Sequence, residues 1–497
     1  MPDQSPARVT TMSSPARSIA WGAALIVVAG LTAVWPDFAL LPVAVVAVLA
    51  VWRFPDRALE ILCVGVLAVR PSLDIFSERR FGLGPFALNP SVIFGASILL
   101  LAMVLAVRRV QRGEFIWVDR RLRNIHFWLI GCYALACYSG VRWYGTVGAG
   151  EGIREAVRIL SLIAGLLVVL WWAADHPDRF RRGWNYLIIG TIPPIVVALW
   201  QLVSGTGYLE TEGFNRLMGT FSHPNSLGQY LVPFVLLSVG RLTGTRGWPR
   251  IILFAVSVGL TLLIALTYSR TALFTLIAGL VALPLLQLRY LGWRAIQRLA
   301  LSFLAVLLFC WMIVLPMVRQ RFANISISTQ VIEAAREGQS ENSFTWRLIN
   351  WGTLISLGRE HAIAGHGAGM TTVLNPLVSQ DSGLPFNAHD DFVRFFFEAG
   401  ILGVIAYTMY GVLLCWWTLR LARRLQYNRA AAGFAVVAGL MAEIFLTLGT
   451  TELSLNTAIL FELNGMLALL TVEPDFHGAR EEIPVEVPVA EPALSGY

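Results

Sequence analysis

Residues able to do chemistry are sparse in this chain, and they fall into four stretches. The first runs from Arg216 through Gly219, Phe221 and His223 to Asn225. The second is Thr267-Tyr268-Ser269-Arg270. The third is Thr345-Trp346-Arg347 with the glycine turn Gly365-His366-Gly367-Ala368-Gly369. The fourth is His389-Asp390-Asp391, continuing through Glu398 and Gly400 to Gly403. A histidine exchanges a proton near neutral pH, and an arginine stays charged and presents a fork of donors to an anion. The polar interval 317–390, which holds two of the four stretches, is long for a simple connector, and we read it as one wall of an active site.

These stretches must be positioned by membrane helices. Hydrophobic residues make up 56% of the 497 and charged residues only 14%, and continuous apolar runs of about 18 residues or more recur, each long enough to cross a bilayer. The fold class is therefore all-α, a polytopic integral membrane protein; continuous rather than alternating runs exclude a membrane β-barrel. The spans are placed at 18–35, 38–52, 57–70, 90–107, 125–143, 154–174, 184–204, 226–242, 251–268, 271–288, 298–316, 391–419, 430–450 and 457–472. The second and third are short enough to form a re-entrant pair, so 12–14 transmembrane helices are expected. The organisation is a tail at 1–17, helices across 18–316, a large loop at 317–390 with short helices, helices across 391–472, and a tail at 473–497 too poor in apolar residues to fold.

All 38 basic residues are arginine, and the formal charge is +7. They are spread over many short connectors rather than one face, which argues against nucleic acid as a partner. Instead they set orientation. The connectors carrying Arg53 and Arg57, Arg108 to Arg123, Arg179 to Arg182, Arg241 to Arg250, Arg289 to Arg298, and Arg420 to Arg429 alternate with others that are poorer in arginine. Both termini are thus expected in the cytoplasm. Connectors 143–153, 205–225, 269–270 and 317–390 fall on the outer side, which is where all four polar stretches lie. The connector with Arg70, Arg79 and Arg80 runs against the pattern. The cysteines Cys63, Cys132, Cys137, Cys310 and Cys415 all fall in apolar spans with no metal-site spacing.

Inside the large loop, Ser343 to Leu357 has helical periodicity, with Phe344, Leu348, Trp351 and Ile355 on one face. That face lies on the membrane surface or packs on the bundle. A second short helix is read at 328–337. Each polar residue also has a plain structural reading. Arg216 can be an interfacial anchor, and Arg270 can pair with a carbonyl or carboxylate at a tight turn. His366 can be a turn residue, and Asn225 a cap or a partner of the bend. Glu398 can pair with an arginine of the outer set or make a helix–helix contact. Asp390 or Asp391 can orient the His389 ring or cap the next helix.

Taken together and in order, the stretches resemble the O-antigen ligase and polymerase family of bacterial envelope glycosyltransferases, which includes exopolysaccharide polymerases. The shared pattern is Arg216 to Asn225, Ser269-Arg270, the turn Gly365 to Gly369, and His389 followed by Glu398-x-Gly400-x-x-Gly403. The resemblance covers roughly residues 200–420. Where many members have Asn after the histidine, this chain has Asp390. The resemblance implies a GT-C-like fold in a bacterial inner membrane with the active site facing the periplasm. It implies transfer of a glycan from undecaprenyl diphosphate to a hydroxyl of lipid A core or of another lipid-linked repeat unit, without metal or cofactor. In that reading Arg216, Arg270 and Arg347 bind the diphosphate, and His389 is the general base. Supporting roles would fall to Asp390, Asp391, Glu398, Asn225 and His366. Magnesium would ask for acidic ligands, and only Asp381, Asp390 and Asp391 stand close together on the outer side. Direct attack by the acceptor would invert the anomeric centre.

The competing class is a transporter or flippase of a lipid-linked oligosaccharide, in which Glu443, Glu452 and Glu462 could hold a cation. Many transporters show two related halves. Here the polar residues concentrate late in the chain and on one side, which favours an enzyme.

Overall fold

Long apolar runs separated by arginine-bearing connectors give an all-α bundle in the computed structural model of the chain. The structure describes residues 40–76, 81–83, 86–88, 90–114, 119–209, 215–242, 245–288, 343–378, 386–423, 427–447 and 457–472, and isolated helical positions between 293 and 308. The span expected at 18–35, most of that at 298–316, the helix expected at 328–337, Glu452 and both tails lie outside the described residues.

The described helices are α1 (Leu40–Arg53), α2 (Pro55–Val64), α3 (Pro90–Gln111), α4 (Arg120–Ala174), α5 (Pro177–Ser204), α6 (Pro224–Leu242), α7 (Trp248–Leu266), α8 (Arg270–Gln287), α9 (Ser343–Gly358), α10 (Thr371–Leu374), α11 (Asp391–Ala422), α12 (Tyr427–Thr447) and α13 (Thr457–Thr471). Six of them (α3, α4, α5, α7, α8 and α11) are long and apolar enough to cross a membrane. Two small antiparallel ribbons pair β1 (Phe81–Leu83) with β2 (Phe86–Leu88), and β3 (Tyr208–Leu209) with β4 (Asn215–Arg216). The surface is inverted relative to a water-soluble protein. Val203 is 83% exposed, Ile61 71% and Trp200 68%, as expected of side chains that face lipid. The chain is a multi-pass membrane protein.

The 55 residues of α4 are two helices, not one. A straight helix of that length would be about 80 Å long, well beyond a bilayer. At Gly145 the backbone leaves helical geometry (φ 58°, ψ −125°) and the chain turns back on itself. The halves pack so closely that a Cβ on Gly148 would sit 2.0 Å from the Gly140 carbonyl oxygen. This is the pair of spans read at 125–143 and 154–174, with its connector at the apex. The short third span is extended by a π turn at Gly65–Val69 and a 3-10 turn at Arg70–Phe76.

Arg70, which ran against the orientation pattern, is not an orientation signal. It is 2% exposed. Its Nη1 pairs with Asp74 at 2.9 Å, and its Nη2 donates to the Thr457 hydroxyl. A buried and paired arginine carries no information about which side it faces.

A single core runs through both groups of helices, from Trp171 and Trp172 on α4 to Tyr230 on α6, Phe434 on α12 and Phe461 on α13. At the end of the bundle where α4 turns, the loop of α9 and α10 packs onto α4 and α11.

Candidate active site

The glycine turn and the Glu398-to-Gly403 motif form one backbone joint. Helix α11 breaks at Gly400 (φ 66°, ψ −163°). A break strands carbonyls before it and amides after it, and stranded groups must find partners. Here they find the turn. The amides of His366 and Gly367 donate to the carbonyls of Phe397 (2.9 Å) and Glu398 (2.8 Å), and the Ile401 amide donates to the Ala362 carbonyl (2.8 Å). The Ala368 amide reaches across to the Ala136 carbonyl of α4 at 3.2 Å. Only glycine fits at the crossing: a Cβ on Gly400 would meet the Ile363 carbonyl carbon at 2.3 Å, and one on Gly367 would meet Gly140 Cα at 2.3 Å. The spacing of these glycines is thus explained by backbone packing alone.

Beneath the joint lies a buried ion network. Arg394, 3% exposed, pairs with Glu398 at 3.1 Å and with Glu155 of α4 at 2.9 Å. Glu155 also pairs with Arg158, and Glu398 accepts a hydrogen bond from the Thr371 hydroxyl at 2.8 Å. Glu398 therefore has its own helix and α10 as partners, instead of the expected pairing with Arg216, Arg270 or Arg347. Arg394 sits one turn before Glu398, a spacing that allows a pair. That Glu155 completes the network from the far side of the hairpin has no signature in the sequence.

His389 stands at the corner before α11 in a left-handed conformation, φ 54°, which is uncommon for a side-chain-bearing residue. The corner is clamped from α9 and from the turn before it. Asn350, fully buried, donates to the Asn387 carbonyl at 2.8 Å, and the Trp351 indole donates to the Ala388 carbonyl at 2.8 Å. Asn375 donates to the Phe386 carbonyl and to Asn350 Oδ1, both at 2.8 Å. Asn350 and Asn375 were not picked out from the sequence, and Trp351 only as part of the apolar face; a buried Asn on a largely apolar helix is the one signal that could have found the clamp. The buried side of α9 carries Asn350 and Leu354, while Leu348 and Ile355 face outward. The apolar face read from periodicity is therefore split, with Leu348 and Ile355 outward and Trp351 turned to the His389 corner.

The His389 ring meets the edge of Trp346 at 5.3 Å. Neither of its ring nitrogens is hydrogen-bonded to another described residue. Burial pushes its pKa down to about 4, and the nearby Arg347 charge adds to the effect. The imidazole is therefore neutral at pH 7, but its intrinsic basicity is lower than the ordinary histidine value expected from sequence. Neither aspartate beside it has the ring as an observed partner. Asp390 is the N-cap of α11, accepting from the Val393 amide at 2.8 Å, and burial raises its pKa to about 6. Asp391 accepts a hydrogen bond from the Tyr407 hydroxyl at 2.7 Å.

His366 is in the opposite state. Its Nε2 faces the Leu357 carbonyl at 3.0 Å, and its Nδ1 faces the Tyr144 hydroxyl. A carbonyl only accepts, so Nε2 carries the proton and Nδ1 accepts from tyrosine. The ring is stacked on Phe397 at 4.6 Å, and burial lowers its pKa. It is a wedge in the joint.

The other two stretches meet at the α7–α8 turn. Arg216, 3% exposed, donates from Nε to the Thr267 carbonyl (2.8 Å) and from Nη2 to Asn225 Oδ1 (2.9 Å). Asn225 thus holds the arginine, while its own amide donates to His223 Nδ1 at 3.1 Å. Gln201 of α5 fixes the intervening loop, accepting from the Met218 and Gly219 amides. In the turn, Tyr268 is left-handed at φ 52°, Ser269 caps α8 through the Ala272 amide at 3.2 Å, and Arg270 is half-buried at the first position of that helix. Arg216, Asn225 and Arg270 thus form one group on α6–α8, and Arg347 and His389 a second on α9–α11.

A model of the O-Antigen ligase family matches residues 253–408. The matched stretch takes in Arg270, Arg347, His366, His389 and Glu398, while Arg216 and Asn225 precede it. No curated protein matches the chain. Over residues 253–408, which hold the glycine turn, the His389 corner and the broken helix, this multi-pass membrane protein is similar to the O-antigen ligase family.

Proposed function

We propose that the protein transfers a glycan from undecaprenyl diphosphate to an acceptor hydroxyl at the periplasmic face of the bacterial inner membrane, with both termini in the cytoplasm. The acceptor is lipid A core or another lipid-linked repeat unit. Both groups of site residues face one pocket in this reading. Support comes from connectors 205–225, 269–270 and 317–390 sharing one side in the alternation of spans.

His389 takes the proton of the acceptor hydroxyl on an unoccupied ring nitrogen. The oxygen attacks the anomeric carbon, and the bond from that carbon to the diphosphate oxygen breaks, its electron pair leaving with the diphosphate. Arg216, Arg270 and Arg347 take up the charge that develops there. One displacement inverts the anomeric centre. The low basicity of His389 fits this sequence of events. An anionic diphosphate beside Arg347 offsets the guanidinium charge, so His389 becomes a stronger base when the donor is bound.

The observation that carries the reading is the pairing, at one corner, of a neutral histidine whose ring nitrogens no described residue engages and an arginine close enough to depress its pKa. The test is transfer by purified full-length protein from a lipid-diphosphate-linked glycan, with His389→Ala in parallel. Lipid A core and a second repeat unit serve as alternative acceptors. Full transfer by the variant would sink the base assignment, and the preferred acceptor would separate ligase from polymerase.

A further inference from the structure

Four helix ends meet at the far end of the bundle from Gly145, about 40 Å away along α4. They are the starts of α2 and α5 and the ends of α3 and α4. Between them is a cavity of about 350 Å³ lined by Arg108, Arg109, Arg112 and Arg179, with Asp56, Glu114 and Asp175 as its acidic residues. Nothing in the proposed transfer uses this cavity.

Its charges do not cancel. Arg109 is shared between Glu114 (3.0 Å) and Asp175 (3.7 Å), Arg112 leans on Glu114 (3.8 Å), and Arg179 on Asp175 (3.2 Å). Three arginines thus rest on two carboxylates. Arg108 has no carboxylate partner among the described residues. It lies against the Trp52 ring at 5.9 Å, and its Nη1 is buried without a hydrogen bond to any described residue. A buried guanidinium donor left empty is costly, and an anion entering the cavity would satisfy it. The starts of α2 and α5 add to this. Each has proline at the first turn and no side-chain cap, so the positive end of each helix favours an anion, against which Asp56 and Asp178 stand in the same turns. The aromatic floor, with Arg109 over Trp171 at 5.6 Å, keeps the forks oriented.

We infer that this cavity binds a phosphate group, recognised by the Arg108 fork together with the uncapped starts of α2 and α5. The phosphate belongs to an anionic membrane lipid or to a free phosphate or diphosphate. A lipid-facing wall stands beside Arg108: Trp52, Met103, Val107 and Val110 are all exposed. A headgroup in the cavity would therefore leave acyl chains along α1 and α3.

The experiment uses the full chain in neutral detergent. Native mass spectrometry measures retention of phosphatidylglycerol against phosphatidylcholine, and a thermal-shift titration with inorganic pyrophosphate runs in parallel. The variant is Arg108→Gln, and Arg420→Gln, an exposed arginine against Trp416 outside the cavity, is the control. Should Arg108→Gln fold poorly, Arg112→Gln at the half-exposed rim reads the same loss. Preferential retention of phosphatidylglycerol that falls at least about fivefold in Arg108→Gln and not in Arg420→Gln assigns the site to a lipid. A pyrophosphate shift lost in Arg108→Gln alone assigns it to a free anion. If neither signal is present in the parent protein, or if both variants lose it equally, the inference is overturned.

Discussion

His366 and His389 lie in the same loop, the first expected from sequence as a turn residue or supporting group and the second as the general base. Their surroundings differ in one decisive respect. Both nitrogens of His366 are engaged, by Tyr144 and Leu357, and its ring is stacked on Phe397. His389 is held by its backbone and leaves its ring nitrogens unengaged by the described residues. A histidine whose nitrogens are already committed cannot accept a proton without losing a contact. One whose backbone is committed and whose ring is not is free to do so.

The largest test of this contrast is His389→Ala. Transfer should fall by about 10²–10⁴-fold, the usual contribution of a general base, while thermal stability holds. Unchanged turnover would erase the distinction between the two rings. Next is Arg394→Ala in the network below the joint. It leaves Glu398 as a buried charge with only the Thr371 hydroxyl and Glu155 with only Arg158, and should cost about 3–5 kcal/mol of stability, read as a large fall in the unfolding temperature. A near-neutral result would show that the ions are not mutually dependent.

Asn350→Ala should have smaller effects of both kinds. It leaves the Asn387 carbonyl without its side-chain donor, worth about 1–3 kcal/mol, and lets the His389 corner drift, with transfer falling by up to about 10²-fold. Loss of stability without loss of transfer would mean that the clamp does not position the ring. His366→Phe should be the mirror image. It should cost about 1–3 kcal/mol through the lost hydrogen bonds, and transfer per folded molecule should match the parent.

The smallest effect is in pH. Burial holds the folded pKa of His389 down at about 4, below the ordinary value of about 6.5. Between those values the unfolded chain binds a proton that the folded protein does not. The associated stability is therefore complete above about pH 6.5 and is lost as pH falls through that window. Transfer at low donor concentration should retain an active base down to near pH 4. Arg347→Gln removes the lesser of the two causes, so the acid limb should move up in pH but stop short of the ordinary histidine value. A limb that stays in place would separate Arg347 from His389.

Much of the fold was legible because its signals are local. Apolar run length gave the helices, and alternation of arginines grouped the connectors. The cavity lined by Asp56, Arg108, Arg109 and Arg179 now brings three of those connectors to one end. Arg70 misled because charge alone does not reveal burial, and its partners Asp74 and Thr457 come from opposite ends of the chain. In the site, the glycine spacing was visible but its cause was not, since what each glycine avoids is backbone from another element. The partners of Glu398, and the capping by Asp390 rather than contact with the ring, depend on where α11 starts and on which helix lies behind it. The ordinary basicity expected of His389 failed for a similar reason: burial is a property of the packed corner.

The shared hydrogen bonds between residues 362–368 and the break in α11 bear on how the loop can move. Each half supplies the backbone partners that the other lacks, so the amides of His366, Gly367 and Ile401 should exchange with solvent as one cooperative unit. Lifting the turn would leave α11 with open carbonyls on one side of Gly400 and open amides on the other, in a region with little water to receive them. This part of the loop is thus fixed in place, with the same mechanical standing as the helices around it.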